Sequence, residues 1–297
     1  MSERDTTEML LDLLDLDGEP EARTEEDIFT GRSPVQPRQR VFGGQVLGQS
    51  VVAASRTVDG DRPIHSLHGY FLRPGDALKP ITFGVQRLRD GRSFSARRVH
   101  AYQNGEPIMS LIASFQVPSE GIEHQEPMPE GIPDPETLPS SADILGRIDD
   151  PMAQDWAYNR PFDVRYVEPP IYFPTPEMAR QRTAHNTVWL KTTGPMPEDQ
   201  ALHRAALAYA SDYTILESAL RRHGLPWTTP GLSVASLDHA MWWHRPVRVD
   251  EWLLYVQASP SASGARGLGL GRIYNRSGDL VASVAQEGMV RLPQPPA

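Results

Sequence analysis

In the last third of the chain, polar side chains occupy positions that the surrounding pattern marks as apolar. Asp212 shares a helical stripe with Ala205, Ala208, Ile215 and Ala219. A carboxylate in such a stripe is partly buried, which costs free energy unless the group is partnered or put to use. The pattern also admits a second reading, in which the helix breaks at Ser211-Asp212 and the acid caps a new segment. Gln286 alternates onto one strand face with Leu280, Ala282, Val284 and Val290. An amide there needs hydrogen-bond partners, unless the position is an edge open to water. Ser236 falls on a strand face with Val234, Asp238, Ala240 and Trp242, and by itself it is unremarkable.

Other groups invite chemistry less directly. His239 and His244 flank Trp242-Trp243, and His65 and His68 lie in a similar earlier strand. A histidine beside Asp238 could act as a general base, but such residues are more often structural hydrogen bonders. Arg87, Arg89, Arg92, Arg97 and Arg98 form a basic cluster suited either to phosphate groups or to a solvated strand face. The run Gly264 to Gly271 lacks the spacing of a phosphate-binding loop and reads as a twisted or bulged strand. Neither a G-x-S-x-G elbow, nor H-E-x-x-H, nor a P-loop occurs.

Composition narrows the classes further. The 297 residues contain no cysteine, which rules out disulfides, thiolate metal sites and cysteine nucleophiles. A net charge of −9 argues against nucleic acid as partner. No apolar run approaches the roughly 20 residues that span a bilayer, so no membrane association is expected. The acidic stretch Met1 to Glu26 lacks the features of a signal peptide, and the terminal Pro-Pro-Ala is not a peroxisomal address. A cytoplasmic location is therefore expected.

These residues need elements to position them, and the chain supplies such elements twice. The segment Ile64 to Phe71, a strand over Ser93 to Tyr102, a turn at Asn104-Gly105 and a strand over Ile108 to Ala113 recur as Val234 to Met241, strands over Leu253–Ala258 and Gly267–Tyr274, a turn at Ser277-Gly278 and Val281 to Ala285. The Ser-Leu pairs are separated by 236 − 66 = 170 residues and the turn glycines by 278 − 105 = 173. A near-constant period marks a duplicated unit. A helix precedes each copy: Gly44 to Val58, kept slim by Gly43, Gly44 and Gly48, and about His203 to Arg222, stopped by Gly224. One long helix against a curled antiparallel sheet is an α+β arrangement. The expected division is an acidic segment 1–30, a first unit 31–117, a Pro-rich linker 118–160 with a short helix near Ser141 to Ile148, and a second unit 161–297. The acidic N-terminal stretch is expected either to form a short helix at Glu8 to Leu16 or to be partly disordered, and Trp189-Leu190-Lys191 should belong to an added strand of the second unit.

Several motifs in order resemble the acyl-CoA thioesterase II (TesB-like) family. They are Val41-Phe42-Gly43-Gly44-Gln45, Tyr70-Phe71-Leu72-Arg73-Pro74-Gly75-Asp76, Gly91 through Val99, Tyr209-Ala210-Ser211-Asp212, Leu237 through Pro246, and Ala285-Gln286-Glu287-Gly288. The likeness covers roughly Leu10 to Arg291. It implies a double hotdog fold and hydrolysis of fatty acyl-CoA to free acid and CoA, without metal, cofactor or covalent acyl-enzyme. In the family an Asp, a hydroxyl residue and a Gln hold the attacking water, and Asp212, Ser236 and Gln286 fall on those positions. Gly43 and Gly44, at a helix start, are candidates for close backbone approach to substrate. The first helix contains no acid, so one active site per chain is expected. The missing peroxisomal tripeptide favours a bacterial enzyme of fatty acid metabolism, and hotdog units commonly pair through their sheets, so a homodimer or tetramer is expected. The rivals are an enoyl-CoA hydratase of the same fold, which would want a His paired with an acid near the helix start, and an acyl-CoA binding protein, which would lack a catalytic residue.

Overall fold

A computed structural model of the chain describes residues 6–18, 25–34, 39–174 and 182–292. Met1–Asp5 and the terminal Pro295-Pro296-Ala297, on which part of the addressing expectation rests, lie outside the described residues.

The chain forms one antiparallel sheet of thirteen strands among these residues, with helices packed on its concave side. The first half contributes β1 (Asp17–Gly18), β2 (Asp27–Gly31), β3 (Ile64–Phe71), β4 (Ile81–Asp90), β5 (Phe94–Gln103) and β6 (Glu106–Gln116). The second contributes β7 (Phe162–Tyr166), β8 (His185–Thr192), β9 (Ser233–Ser236), β10 (Asp238–Trp243), β11 (Leu253–Ser263), β12 (Arg266–Tyr274) and β13 (Leu280–Arg291). The strand order runs 2-4-5-6-3 and then 10-13-12-11-8, so the second half repeats the first in reverse, and β3 pairs with β10 at the seam. The repeat read from the sequence is thus a structural duplication, and the architecture is the expected double hotdog.

Helices α1 (Thr6–Leu14) and α2 (Gly43–Ser55) belong to the first half. Two short helices, α3 (Ser141–Leu145) and α4 (Pro151–Tyr158), interrupt the connecting segment, and α5 (Gln200–Ser211) and α6 (Glu217–His223) follow β8. The central helices α2 and α5 lie antiparallel in direct contact. A Cβ at Gly44 would stand 2.1 Å from the Tyr209 carbonyl oxygen, and one at Gly48 3.0 Å from that of Ala205. Only glycine allows these backbones to approach so closely. Around the pair lies a continuous core that includes Leu47, Val51, Leu67, Phe83, Leu207 and Met241, all inaccessible to solvent.

Two expectations need correction, and the glycine run, which lies as expected in a strand of a bulged ladder, has a further role. The second helix does not run unbroken to Arg222. It ends at Ser211, whose carbonyl takes a hydrogen bond from Tyr255 Oη at 3.0 Å, and resumes at Glu217. Captured by a core tyrosine, that carbonyl is one of the orphan acceptors a helix end must satisfy. The glycines of 264–271 also do more than twist a strand. A Cβ at Gly269 would meet the Ile215 carbonyl at 2.5 Å, and one at Gly271 the Tyr255 ring at 2.3 Å. They let the broken helix sit directly on β12. Finally, Ser236 does not share a face with Asp238, Ala240 and Trp242. Ser236 pairs with Gly288 and Ala240 with Ala285, so four steps on one strand oppose three on the other. This bulge at Leu237-Asp238 changes the alternation, and beyond it His239, Met241 and Trp243 are the buried residues.

Candidate active site

The helix break, the bulge and the last strand bring the three polar residues together. Asp212 is the C-cap of α5, Ser236 ends β9 and Gln286 lies in the middle of β13. Gln286 Nε2 donates to Asp212 Oδ1 at 2.8 Å and to Ser236 Oγ at 2.9 Å, and Ser236 Oγ donates to Asp212 Oδ1 at 3.2 Å. The alternatives left open by periodicity are thereby decided. Gln286 is 1% exposed, so it is no edge position, and Asp212 closes one helix rather than opening the next.

Asp212 also receives a hydrogen bond from the backbone N–H of Gly44, in the first turn of α2. The antiparallel packing of the helices therefore aims the positive end of one at the carboxylate that closes the other. Removal from water outweighs these donors and pushes the Asp212 carboxyl up to about 6. Aromatic rings supply that dry environment. Phe42 stacks on Tyr213 at 5.1 Å and meets Tyr209 edge-on at 5.2 Å.

All three polar residues line a cavity of about 870 Å³. Its aromatic and apolar wall includes Trp156, Tyr213, Leu216, Trp227 and Val234, and its basic residues are Arg40, Arg73 and Arg160. Arg160 lies over the Trp156 ring at 4.1 Å and the Tyr213 ring at 4.5 Å. Gly43 lines this cavity beside Asp212, and a Cβ there would meet Asp212 Oδ2 at 2.7 Å. Gly44 instead carries the helix contact and the bond to Asp212.

Other sequence candidates lie elsewhere. Arg97 is buried and spends its guanidinium on Thr57, Asp90 and the carbonyls of Arg89 and Ala96. Arg87 pairs with Asp27 at 2.8 Å. Neither lines the cavity. His239 is inaccessible to solvent, stands behind Gln286 and does not line the cavity either, so it cannot serve as a base to a ligand there. Periodicity overlooked α4, which supplies Met152, Asp155, Trp156 and Tyr158 to the wall. Its start was legible in Asp150-Pro151. The Asp150 side chain accepts from the N–H groups of Met152 and Ala153, both at 2.9 Å, and proline takes the first helical position.

Among solved structures, a protein of unknown function with a hot dog fold from Alicyclobacillus acidocaldarius superposes with a TM-score of 0.77, at 19% identity over 96% of this chain and 99% of that one. Acyl-CoA thioesterase II TesB2 from Mycobacterium marinum superposes with a TM-score of 0.76 at 44% identity, covering 96% of this chain and 98% of that one. The fold is that of a hotdog thioesterase. The Acyl-CoA thioesterase family model matches residues 165–289, and the Acyl-CoA thioesterase N-terminal domain model matches residues 32–116. Acyl-CoA thioesterase 2 of Haemophilus influenzae is 38% identical over 268 residues, 89% of this chain and 92% of that protein. The chain belongs to the acyl-CoA thioesterase family.

Proposed function

We propose that this protein hydrolyses fatty acyl-CoA to free fatty acid and CoA, using a water held by Asp212, Ser236 and Gln286. The observation that carries the reading is the convergence of these three side chains, from three separate elements, on one wall of the cavity. Asp212 takes a proton from the water as it attacks the thioester carbon. A carboxyl raised to about 6 is ionised at neutral pH yet basic enough to assist. Ser236 contacts the water with Asp212, and Gln286, whose NH2 group binds both, fixes the pair that holds it, so attack starts from an aligned geometry. The negative charge that develops on the thioester oxygen needs donors, and the first turn of α2 offers the backbone N–H of Gly43 beside Asp212. The aromatic wall suits the acyl chain. Arg40, Arg73 and Arg160 suit the phosphates of CoA. The reading divides the chain at 31–117 and 161–297, with 118–160 lending α4 to the cavity.

The test is thiol release from acyl-CoAs ranging from acetyl to palmitoyl. The protein has no cysteine, so every thiol detected comes from CoA. Release that is lost in Asp212→Asn supports the reading. Binding without release across the panel would replace it with an acyl-CoA binding role.

A further inference from the structure

Behind the three cavity residues, a second layer of hydrogen bonds leads away from substrate. His239 Nδ1 lies 2.5 Å from Gln286 Oε1, and His239 Nε2 lies 3.0 Å from Ser211 Oγ. Ser211 Oγ also lies 2.9 Å from the Ala208 carbonyl oxygen in the last turn of α5. Neither His239 nor Ser211 is exposed to solvent. The chain Ser211–His239–Gln286 thus ties the residue just before Asp212 to the amide that hydrogen-bonds Asp212.

We infer that His239 is a positioning residue: it fixes which edge of the Gln286 amide faces Asp212 and Ser236. An amide has one donor end and one acceptor end of nearly the same shape. Only the NH2 end can serve both an ionised Asp212 and the Ser236 oxygen. The observed orientation sets Gln286 Oε1 at Nδ1, so the hydrogen sits on Nδ1 and the Ser211 hydroxyl donates to Nε2 rather than to the Ala208 carbonyl. Flipping the amide then leaves two buried donors facing each other unless both hydrogens move as well. Burial pushes the imidazole down to about 4, which keeps it neutral with a single N–H. The need for such a lock follows from Asp212 itself. Once protonated, its carboxyl could donate to the amide oxygen and favour the flipped amide.

The bulge at Leu237-Asp238 is what makes the arrangement possible. Ala240 stands opposite Ala285, so His239 and Gln286 occupy the next register position and point to the same side of the sheet. Without the extra residue, Ser236 and His239 would fall on opposite faces, because three steps along a regular strand reverse the side chain. One bulge therefore delivers both a hydroxyl to the cavity and a donor to the far end of the amide.

The inference rests on the catalytic reading of Gln286, and the test separates the two. kcat and KM are measured on the intact chain by thiol release, using one acyl-CoA that the wild type turns over. His239→Leu should lower kcat about 10-fold or more, with KM changed less than about twofold, as expected when an aligned group is released. His239→Asn, whose amide nitrogen can stand where Nδ1 stands, should recover most of that loss. In a Gln286→Ala background, His239→Leu should cost nothing further. Equal losses in both backgrounds, a change confined to KM, or no recovery by His239→Asn overturns the positioning role. If His239→Leu fails to melt cooperatively, Ser211→Ala takes its place: a kcat loss that vanishes in the Gln286→Ala background supports the relay, and an equal loss in both overturns it. If Gln286→Ala alone leaves kcat unchanged, the catalytic reading falls and this one falls with it.

Discussion

The two hotdog halves share strand order and helix placement, but the ends of their central helices differ. The C-cap of α5 is Asp212, and the C-cap of α2 is Arg56. At the repeat offset, Ser236 corresponds to Ser66 (236 − 170), and Gln286, the residue after Ala285 in the pair with Ala240, corresponds to Leu111, the residue after Ser110 in the pair with Tyr70. Across the seam strands, His239 stands opposite Gly69. The first half therefore keeps the hydroxyl but lacks the acid, the amide and the histidine behind it. Its helix end is covered instead. Gln49 donates to the Leu13 carbonyl at 2.8 Å, Arg56 pairs with Asp15 at 2.9 Å and bonds the Leu16 carbonyl, and Leu10 and Leu14 are fully buried against the core. Where one half opens a cavity at its helix end, the other fills the same place with α1. The first half still serves the open site, because Gly43 and Gly44 at the start of α2 border Asp212. One half supplies the acid and the amide, and its twin supplies a helix terminus.

The largest effect expected from this asymmetry is on Asp212. Asp212→Asn should lower kcat about 10²-fold or more, the scale of a lost general base. In the wild type, kcat/KM should rise with pH through about 6 and then level off, as Asp212 loses its proton. Near-normal turnover in the variant would move the chemistry elsewhere. The same substitution should stabilise the fold at pH 8. A carboxyl raised from 3.8 to about 6 binds its proton more tightly when folded, so its ionisation opposes folding. The penalty is absent below pH 4, grows between pH 4 and 6, and reaches at most about 3 kcal/mol above that. The melting temperature of Asp212→Asn should exceed that of the wild type at pH 8, and the gap should close towards pH 4. An equal gap at both pH values would contradict the burial argument.

Next in size is the helix contact. Gly44→Ala forces a methyl group against the Tyr209 carbonyl, and separating the helices should cost about 1–3 kcal/mol in denaturant unfolding. Turnover should fall too, since the Gly44 N–H moves with the helix. An unchanged midpoint would mean that the two helices have room to spare.

The smallest predicted effect sharpens the comparison most. Ser236→Ala removes one partner of the water and of Gln286, and should lower kcat about 10-fold. Ser66→Ala, at the counterpart position, should change kcat less than about twofold. Similar losses from both would mean that the first half takes part in the chemistry.

Much of this was legible in the chain. The period of 170 to 173 residues was visible because strands alternate and turns need glycine, both local properties. Apolar spacing put the helix starts at Gly44 and about His203, close to the observed Gly43 and Gln200. Asp212 and Gln286 stood out because a polar group on an apolar stripe needs a partner. Ser236 did not, because a serine is common in strands and its significance lies in what faces it. Its neighbours along the strand were misassigned for a related reason. A bulge inserts one residue without a local signature, and only the pairing of β9 and β10 with β13 reveals it. The helix break at Ser211-Asp212 was one of two readings the pattern allowed, and the pattern could not choose between them, since the hydroxyl that captures the Ser211 carbonyl comes from Tyr255, 44 residues away.

By itself, the sequence determined the duplicated α+β architecture, the absence of cysteine chemistry and the residue types available for hydrolysis. These depend on composition, period and local conformation. Tertiary structure alone decided that α2 of one half should aim its N-terminus at the acid of the other, that a bulge should turn Ser236 and His239 to the same side, and that α4 should wall the cavity. Each of these depends on contacts between residues far apart in the chain, and such contacts exist only once the two halves have packed against each other.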